Sequence, residues 1–214
     1  MDIEIRQDFP VLRRQLAGRP IVYLDSAATT LKPLAVLDEE RRYSTDFTAN
    51  VHRGKHLLSE EASDAYESAR RKVAEFLSVS PAAICFTRNA TEAITTVARG
   101  LGLSKSDKVL LPINEHHSNI LPWMREASLA WIEQDPEQPL AITAVISALE
   151  RERPRVLAFS ATSNVTGVTN PSAEICRTAR RLGILTCIDA SQSVPHEEVS
   201  VPALGCDFIA FSGH

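Results

Sequence analysis

Residues 173–192 read AEICRTARRLGILTCIDASQ and contain one complete unit of the predicted fold. Apolar residues recur at helical spacing over 173–182, and Gly183 follows, as glycine often does at the end of a helix. Residues 184–189 then form a short apolar run that ends in the carboxylate of Asp189. A helix followed by a buried strand is typical of parallel α/β sheets.

The same alternation extends over much of the chain. We predict further strands over 83–87, 108–111, 155–160 and 207–212, and helices over 91–101 and 119–129. The first third is mostly helical, over 34–47 and 59–77, with a capped start at Ser59. The fold class that follows is α/β, with a mostly parallel central sheet and helices on both faces.

Composition and charge exclude several classes of protein. Of the 214 residues, 44% are hydrophobic and 23% charged, which is ordinary for a globular protein. A net charge of −4 gives no electrostatic reason to expect nucleic acid or a membrane surface as a partner. The chain has no apolar run near the ~18 residues of a membrane span, and its first six residues, MDIEIR, lack the apolar core of a signal peptide. We therefore expect a cytoplasmic protein.

The four cysteines show no CxxC pair, so we expect no metal site among them. Cys85 and Cys187 lie in apolar runs, Cys176 in a helical pattern, and Cys206 just before a strand. We interpret all four as reduced structural thiols.

Polar residues follow the predicted strands in an unusual concentration. Ligands of parallel sheets bind outside the carboxyl ends of the strands. Hydroxyl, imidazole, amide and carboxylate groups stand at these ends, over residues 87–91, 114–117, 160–164, 189–192 and 212–214. The sequence thus predicts a binding site at one edge of the sheet.

Each cluster permits more than one interpretation. Thr91 begins a helix, whose N-terminus suits a phosphate, but it could equally be a cap. Asp189 could pair with a protonated pyridine nitrogen, form a salt bridge or cap a helix. The pair His116 and His117 could stack on a ring and move protons, or simply be polar, and the same applies to His52. Adjacent side chains point apart in regular structure, so we do not expect the pair to bind one metal ion.

Taken together, the motifs resemble those of SufS-type cysteine desulfurases, which are pyridoxal-phosphate (PLP) enzymes related to class V aminotransferases. The most specific is EHHSNILPW, residues 115–123. The others, in the order that the family has them, are YLDSAATT (23–30), VHRG (51–54), RNATEA (88–93), SNVTG (163–167), DASQ (189–192) and CDF to SGH (206–214). Asn89 and Ala190 stand where the family usually has glycine.

The resemblance implies a PLP-dependent transferase type I fold, with an N-terminal segment over 1–22 and a large cofactor-binding domain over 23–214. It implies that His117 stacks on the pyridoxal ring and shuttles protons, that Asp189 pairs with the pyridinium nitrogen, and that Gln192 bonds the phenolic oxygen. Asn164 would lie near the ring and the substrate carboxylate. The remaining implied residues are Ala90, Thr91, Ser212 and His214 for the phosphate, and Ala28, His52 and Arg53 for the substrate.

The family's Schiff-base lysine directly follows the Ser-Gly-His motif, and its nucleophilic cysteine lies much later in the chain. We expect both, and the C-terminal small domain, to lie beyond His214, with the 214 residues a fragment of a longer enzyme. None of the four cysteines matches the position of the nucleophile.

The implied activity is the removal of sulfur from L-cysteine, giving L-alanine and an enzyme persulfide for an acceptor protein in iron–sulfur cluster assembly or other sulfur metabolism. A related C–S lyase, selenocysteine lyase, cysteine sulfinate desulfinase or epimerase would share the cofactor residues. A non-catalytic fragment or pseudoenzyme is an alternative of another class. The resemblance also implies a homodimer.

Overall fold

The structure is a computed structural model and describes residues 3–213. The chain divides into two compact units, the first ending at Val73 and the second beginning at Ala74. The predicted boundary between residues 22 and 23 is a different division and stays a prediction. In the part of the chain described, no helix is both long enough and apolar enough to cross a membrane.

The first unit is mainly helical. Its elements are α1 (Ile3–Gln7), a 3-10 turn (Pro10–Arg13), the short strands β1 (Gln15–Leu16) and β2 (Arg19–Pro20), α2 (Leu34–Asp46) and most of α3 (Leu57–Phe76). The two predicted helices are therefore confirmed.

The predicted cap at Ser59 is wrong, because α3 begins two residues earlier, at Leu57. Ser59 is fully buried inside the first turn. Its hydroxyl donates to the Asn50 carbonyl at 2.6 Å and accepts from the Gly54 N–H at 3.0 Å. The serine therefore fastens the preceding loop to the helix instead of capping it.

The second unit is built on a five-stranded sheet in which every neighbouring pair is parallel. Its strand order is β4 (Ser128–Ile132), β3 (Lys108–Pro112), β5 (Val156–Ser160), β6 (Leu185–Asp189) and β7 (Phe208–Ala210). The helices are α4 (Ala90–Gly100), α5 (Leu121–Glu126), α6 (Ile142–Glu152), α7 (Ser172–Arg181) and α8 (Val201–Leu204). The predicted α/β class and parallel sheet are confirmed.

Helices α4 and α5 contact one another and the sheet, whereas α6 contacts β3, β4 and α7, and α7 contacts β6. The core beneath α4 and α5 contains Ile94, Trp123, Val109, Leu111 and Val156, each fully buried. Strands β3, β5 and β6 are buried along nearly their whole length, as is typical of a parallel sheet covered by helices. At the end of α7, Gly183 has a φ of +70°, the conformation in which glycine commonly ends a helix.

Two sequence predictions fail in this unit. Residues 83–87 do not form a strand: Pro81–Ala83 is a 3-10 turn, and the residues after it have no regular structure. An apolar run becomes a strand only where a neighbour pairs with it, and the described sheet places none beside this run. The predicted helix over 119–129 is instead the 3-10 turn His117–Asn119, then α5 and the start of β4. The sequence prediction also missed α6.

Replacing Ile94 by alanine should lower the free energy of unfolding by about 2–5 kcal/mol, because the change leaves a cavity between α4 and the sheet. Ile113→Ala is the matched control, since Ile113 is 57% exposed and Ile94 is fully buried. The control should change the unfolding free energy by no more than about 0.5 kcal/mol. Urea titration followed by circular dichroism measures both, and equal losses would contradict the packing described.

Candidate active site

The carboxyl ends of β3, β5 and β6 bring three chemically capable segments to one edge of the sheet. Ser160, the last residue of β5, is paired in register with Asp189, the last residue of β6. The loop after β3 carries Glu115, His116 and His117. The predicted gathering of polar groups at one edge is thus present in the structure.

Asp189 is only 6% exposed. Its carboxylate oxygen Oδ1 accepts a hydrogen bond from the Ser191 N–H at 3.0 Å, and its backbone carbonyl accepts from the Ala161 N–H at 2.9 Å. The side chain is therefore fixed at the end of the strand. A buried carboxylate held in this way is suited to a cationic or donor group of a ligand.

Glu115 forms hydrogen bonds that the sequence analysis did not anticipate. Its carboxylate accepts from the Ser160 N–H at 2.7 Å, from the Ser160 hydroxyl at 2.6 Å and from the Asn119 amide at 2.8 Å. Burial raises the pKa of Glu115, the hydrogen bonds from Ser160 and Asn119 act against this, and the charge of Asp189 raises it further. Glu115 and Asp189 therefore interact electrostatically.

The rings of His116 and His117 lie with their centroids 4.0 Å apart and their planes at 36°. The expectation that these adjacent side chains point apart is wrong, because His116 is extended whereas His117 begins a 3-10 turn. His116 Nδ1 accepts the Ser118 N–H at 3.2 Å, so the neutral ring carries its proton on Nε2. Burial and the neighbouring His117 lower the pKa of His116, while the Asp189 charge raises it.

Helix α4 begins beside the histidine loop. The cap is Asn89, whose side chain accepts the Glu92 N–H at 2.9 Å. The Thr91 hydroxyl is therefore not the cap, and it donates to the Ser118 hydroxyl at 2.8 Å. Ala90, the first helical residue, is buried. The first turn thus offers backbone N–H groups and a hydroxyl next to the loop of His116, an arrangement suited to a phosphate.

The other cofactor residues predicted for this unit lie in the loops after β5, β6 and β7. Asn164 is exposed in a turn whose Ser163 hydroxyl accepts from the N–H groups of residues 165 and 166 at 3.3 Å. Gln192 and Ser212 are half-buried. His214 lies outside the described residues. These placements agree with a shared edge but do not test the predicted roles.

The three predicted substrate residues belong to the first unit. Ala28 is in a turn, where its N–H donates to the Asp25 carbonyl at 3.1 Å. His52 has a φ of +68°, uncommon for a residue other than glycine, and its Nε2 lies 3.0 Å from the Glu67 carboxylate. Arg53 is exposed.

All four cysteines are free, but they are not alike. Cys176 and Cys187 are buried, and burial raises the pKa of both thiols, to about 12 for Cys176. Burial likewise raises the pKa of Cys206 to about 11. Thiols of this kind are poor nucleophiles at neutral pH. Cys85 is exposed and lies in the segment 83–87, which does not form the predicted strand. Within residues 3–213, no cluster of three or more His, Cys, Asp or Glu side chains is placed to hold a metal ion.

Several relatives match nearly the whole chain. It is 40% identical to a probable cysteine desulfurase of Synechocystis, 42% identical to one of Streptomyces coelicolor and 43% identical to a cysteine desulfurase of Yersinia pestis. Each match covers 98% of this chain and 52–54% of the relative. The chain therefore spans about half the length of these relatives.

Solved structures of cysteine desulfurases are similar to this chain over nearly its whole length. The cysteine desulfurase of Thermococcus onnurineus superimposes with a TM-score of 0.90 at 35% identity, over 99% of this chain and 52% of its own. The cysteine desulfurase CsdA of Escherichia coli gives 0.80 at 33% identity, over 99% of this chain and 54% of its own. Both confirm the predicted fold and the resemblance to cysteine desulfurases.

A family model for aminotransferase class-V matches residues 22–214, almost the entire described structure. On this match, the chain belongs to the aminotransferase class-V family.

Proposed function

We propose that this chain is the cofactor-binding part of a PLP-dependent cysteine desulfurase, which takes sulfur from L-cysteine and leaves L-alanine. The observation that carries the proposal is the presence of the buried Asp189 carboxylate and the closely spaced His116 and His117 rings at the carboxyl edge of a parallel sheet. The relatives named cysteine desulfurase support it.

The described residues fit PLP in three respects. Asp189 offers a fixed anion to a protonated ring nitrogen. Two imidazoles offer flat faces to an aromatic ring. The first turn of α4, with Thr91, offers donors to a phosphate. When bound, PLP would serve as an electron sink for charge that develops at the substrate Cα.

We propose the following roles for the other cofactor residues. Gln192 would donate to the phenolic oxygen of the ring, and Asn164 would lie between the ring and the substrate carboxylate. Ala90, Ser212 and His214 would join Thr91 around the phosphate. On the substrate side, Ala28, His52 and Arg53 would contact the amino acid, with the Arg53 guanidinium suited to a carboxylate. Residues 23–214 would together form the cofactor-binding domain.

The two histidines have different capacities for moving protons. The Nδ1 atom of His116 already accepts the Ser118 N–H, so the neutral ring can only donate, from Nε2. His117 is the more exposed ring, and we propose that it accepts and returns the substrate proton.

We further propose that the lysine that binds the cofactor and the sulfur-accepting cysteine stand outside these 214 residues. The raised pKa values of Cys176, Cys187 and Cys206 speak against each as the sulfur acceptor. The whole protein would act as a homodimer and pass sulfur to an acceptor protein, for example in iron–sulfur cluster assembly.

The decisive experiment uses the polypeptide as its gene encodes it. Incubation with L-cysteine should give alanine and a sulfur-bearing cysteine on the protein, and borohydride reduction should leave a pyridoxyl-phosphate adduct in its intact mass. Sulfide release without protein-bound sulfur would indicate a plain C–S lyase. A preference for selenocysteine would indicate a selenocysteine lyase, and a preference for cysteine sulfinate would indicate a desulfinase. Racemisation of the amino acid would indicate an epimerase. The absence of both the adduct and alanine would indicate a non-catalytic protein.

Asp189→Asn should weaken PLP binding by roughly 10- to 100-fold, because it removes a charged hydrogen bond of about 1.5–3 kcal/mol. Fluorescence titration with PLP measures the dissociation constant. Asp135→Asn, an exposed carboxylate beyond the end of β4, is the control and should bind PLP normally. Unchanged binding in the Asp189 variant would refute the proposed pairing with the ring nitrogen.

Thr91→Ala should weaken the binding of PLP by about fivefold, the loss of a hydrogen bond of about 1 kcal/mol. It should leave the binding of pyridoxal unchanged, because pyridoxal lacks the phosphate. Thr96→Ala is the control, since its hydroxyl donates within α4 to the Glu92 carbonyl. An equal loss for both ligands would mean that Thr91 does not contact the phosphate.

A further inference from the structure

We propose that Glu115 is a positioning residue of the candidate active site. Its carboxyl group fastens the loop that carries His116 and His117 to the end of β5, beside Asp189. The inference rests on the proposed function, to which it adds a residue for which the family resemblance implied no role.

The contacts of Glu115 join parts of the chain that are far apart in sequence. Its Oε1 accepts the backbone N–H of Ser160 at 2.7 Å, and its Oε2 accepts the Ser160 hydroxyl at 2.6 Å, across 45 residues. Ser160 in turn lies opposite Asp189 in the sheet. One carboxyl group therefore fixes the distance between the histidine loop and the strand end that holds Asp189.

A second contact closes the loop around the two histidines. Glu115 Oε2 also accepts from the Asn119 side-chain amide at 2.8 Å. The residue just before the pair is thus bonded to the residue at the end of the 3-10 turn, His117–Asn119. Both ends of the segment are therefore held at the point where the two rings approach to 4.0 Å.

The direction of these hydrogen bonds requires an acceptor at both oxygens of Glu115. The backbone N–H of Ser160 can only donate a hydrogen bond, and the indole N–H of Trp123 is likewise a donor only. The Trp123 Nε1–H donates to Asn119 Oδ1 at 3.1 Å, which leaves the Asn119 Nδ2 to donate to Glu115. Asn119 and Trp123 are both fully buried, so an unmatched donor there would lack water as a partner. A carboxylate satisfies this arrangement, whereas an amide would place a second donor opposite the Asn119 amide.

Glu115→Gln tests the proposal, because it keeps the size of the side chain but turns one fixed acceptor into a donor. In the protein freed of cofactor, ¹⁵N NMR should show His116 of the unaltered protein with its proton on Nε2. In the variant, the two tautomers should be mixed, since the loop is released. In the loaded enzyme, kcat should fall roughly 10- to 100-fold with little change in KM.

Combining Glu115→Gln with Asn119→Asp provides the rescue. The new amide at position 115 then donates to the new carboxylate at position 119, which still accepts the Trp123 indole N–H. The Ser160 hydroxyl can rotate to accept, and the net charge is conserved. We expect E115Q/N119D to restore the histidine signals and most of kcat. Glu137→Gln, at an exposed loop residue, is the matched control and should change neither.

A normal His116 tautomer in E115Q, or a defect that E115Q/N119D does not relieve, would overturn the proposal. If E115Q does not fold, the double variant alone decides, because the proposal requires it to fold with normal histidine signals. The tautomer measurement needs no turnover. Absence of desulfurase activity in every protein, the unaltered one included, would therefore reject the proposed function. The NMR result would still test the positioning role of Glu115.

Discussion

Glu115 and Asp189 place two carboxyl groups at one edge of a parallel sheet, where water has limited access. Such groups are costly unless donors surround them. The structure meets this requirement with the backbone N–H groups of Ser160 and Ser191, which the ends of β5 and β6 supply. The register between Ser160 and Asp189 brings these donors together. The pairing of β5 with β6 therefore also sets the geometry of the site, and a shift in their register would disturb both.

Local sequence patterns predict the parts of this structure that depend on neighbouring residues. The apolar runs that became β3, β5 and β6, and the helix ended by Gly183, could be predicted because burial and chain turning leave short-range patterns. The segment 83–87 has the same apolar character but is not a strand, because strand formation needs a partner that the pattern does not specify. Likewise only one residue separates α5 from β4. The helical and strand patterns are both too short there to mark the boundary between the two elements.

The candidate site shows a similar division. Asp189 and Thr91 could be found from their positions after a strand and at the start of a helix. The role of Glu115 could not, since its main partner, Ser160, is 45 residues away. The close approach of the His116 and His117 rings was missed for a different reason. The rule that adjacent side chains diverge applies to regular helices and strands, whereas these residues lie where an extended chain enters a 3-10 turn.

The electrostatics of the site favour a cationic partner at Asp189. Burial raises the pKa of Glu115, against the hydrogen bonds from Ser160 and Asn119 that stabilise its carboxylate, and burial lowers the pKa of His116, which favours the neutral imidazole. The negative charge of Asp189 raises both pKa values, so it adds to the effect of burial on Glu115 and opposes the effect of burial on His116. Burial thus disfavours the charged form of His116, and Glu115 has no cationic form, so the Asp189 carboxylate is suited to a ligand cation. A protonated ring nitrogen carries that charge on a flat group, and a flat group is what the neighbouring imidazoles can also contact.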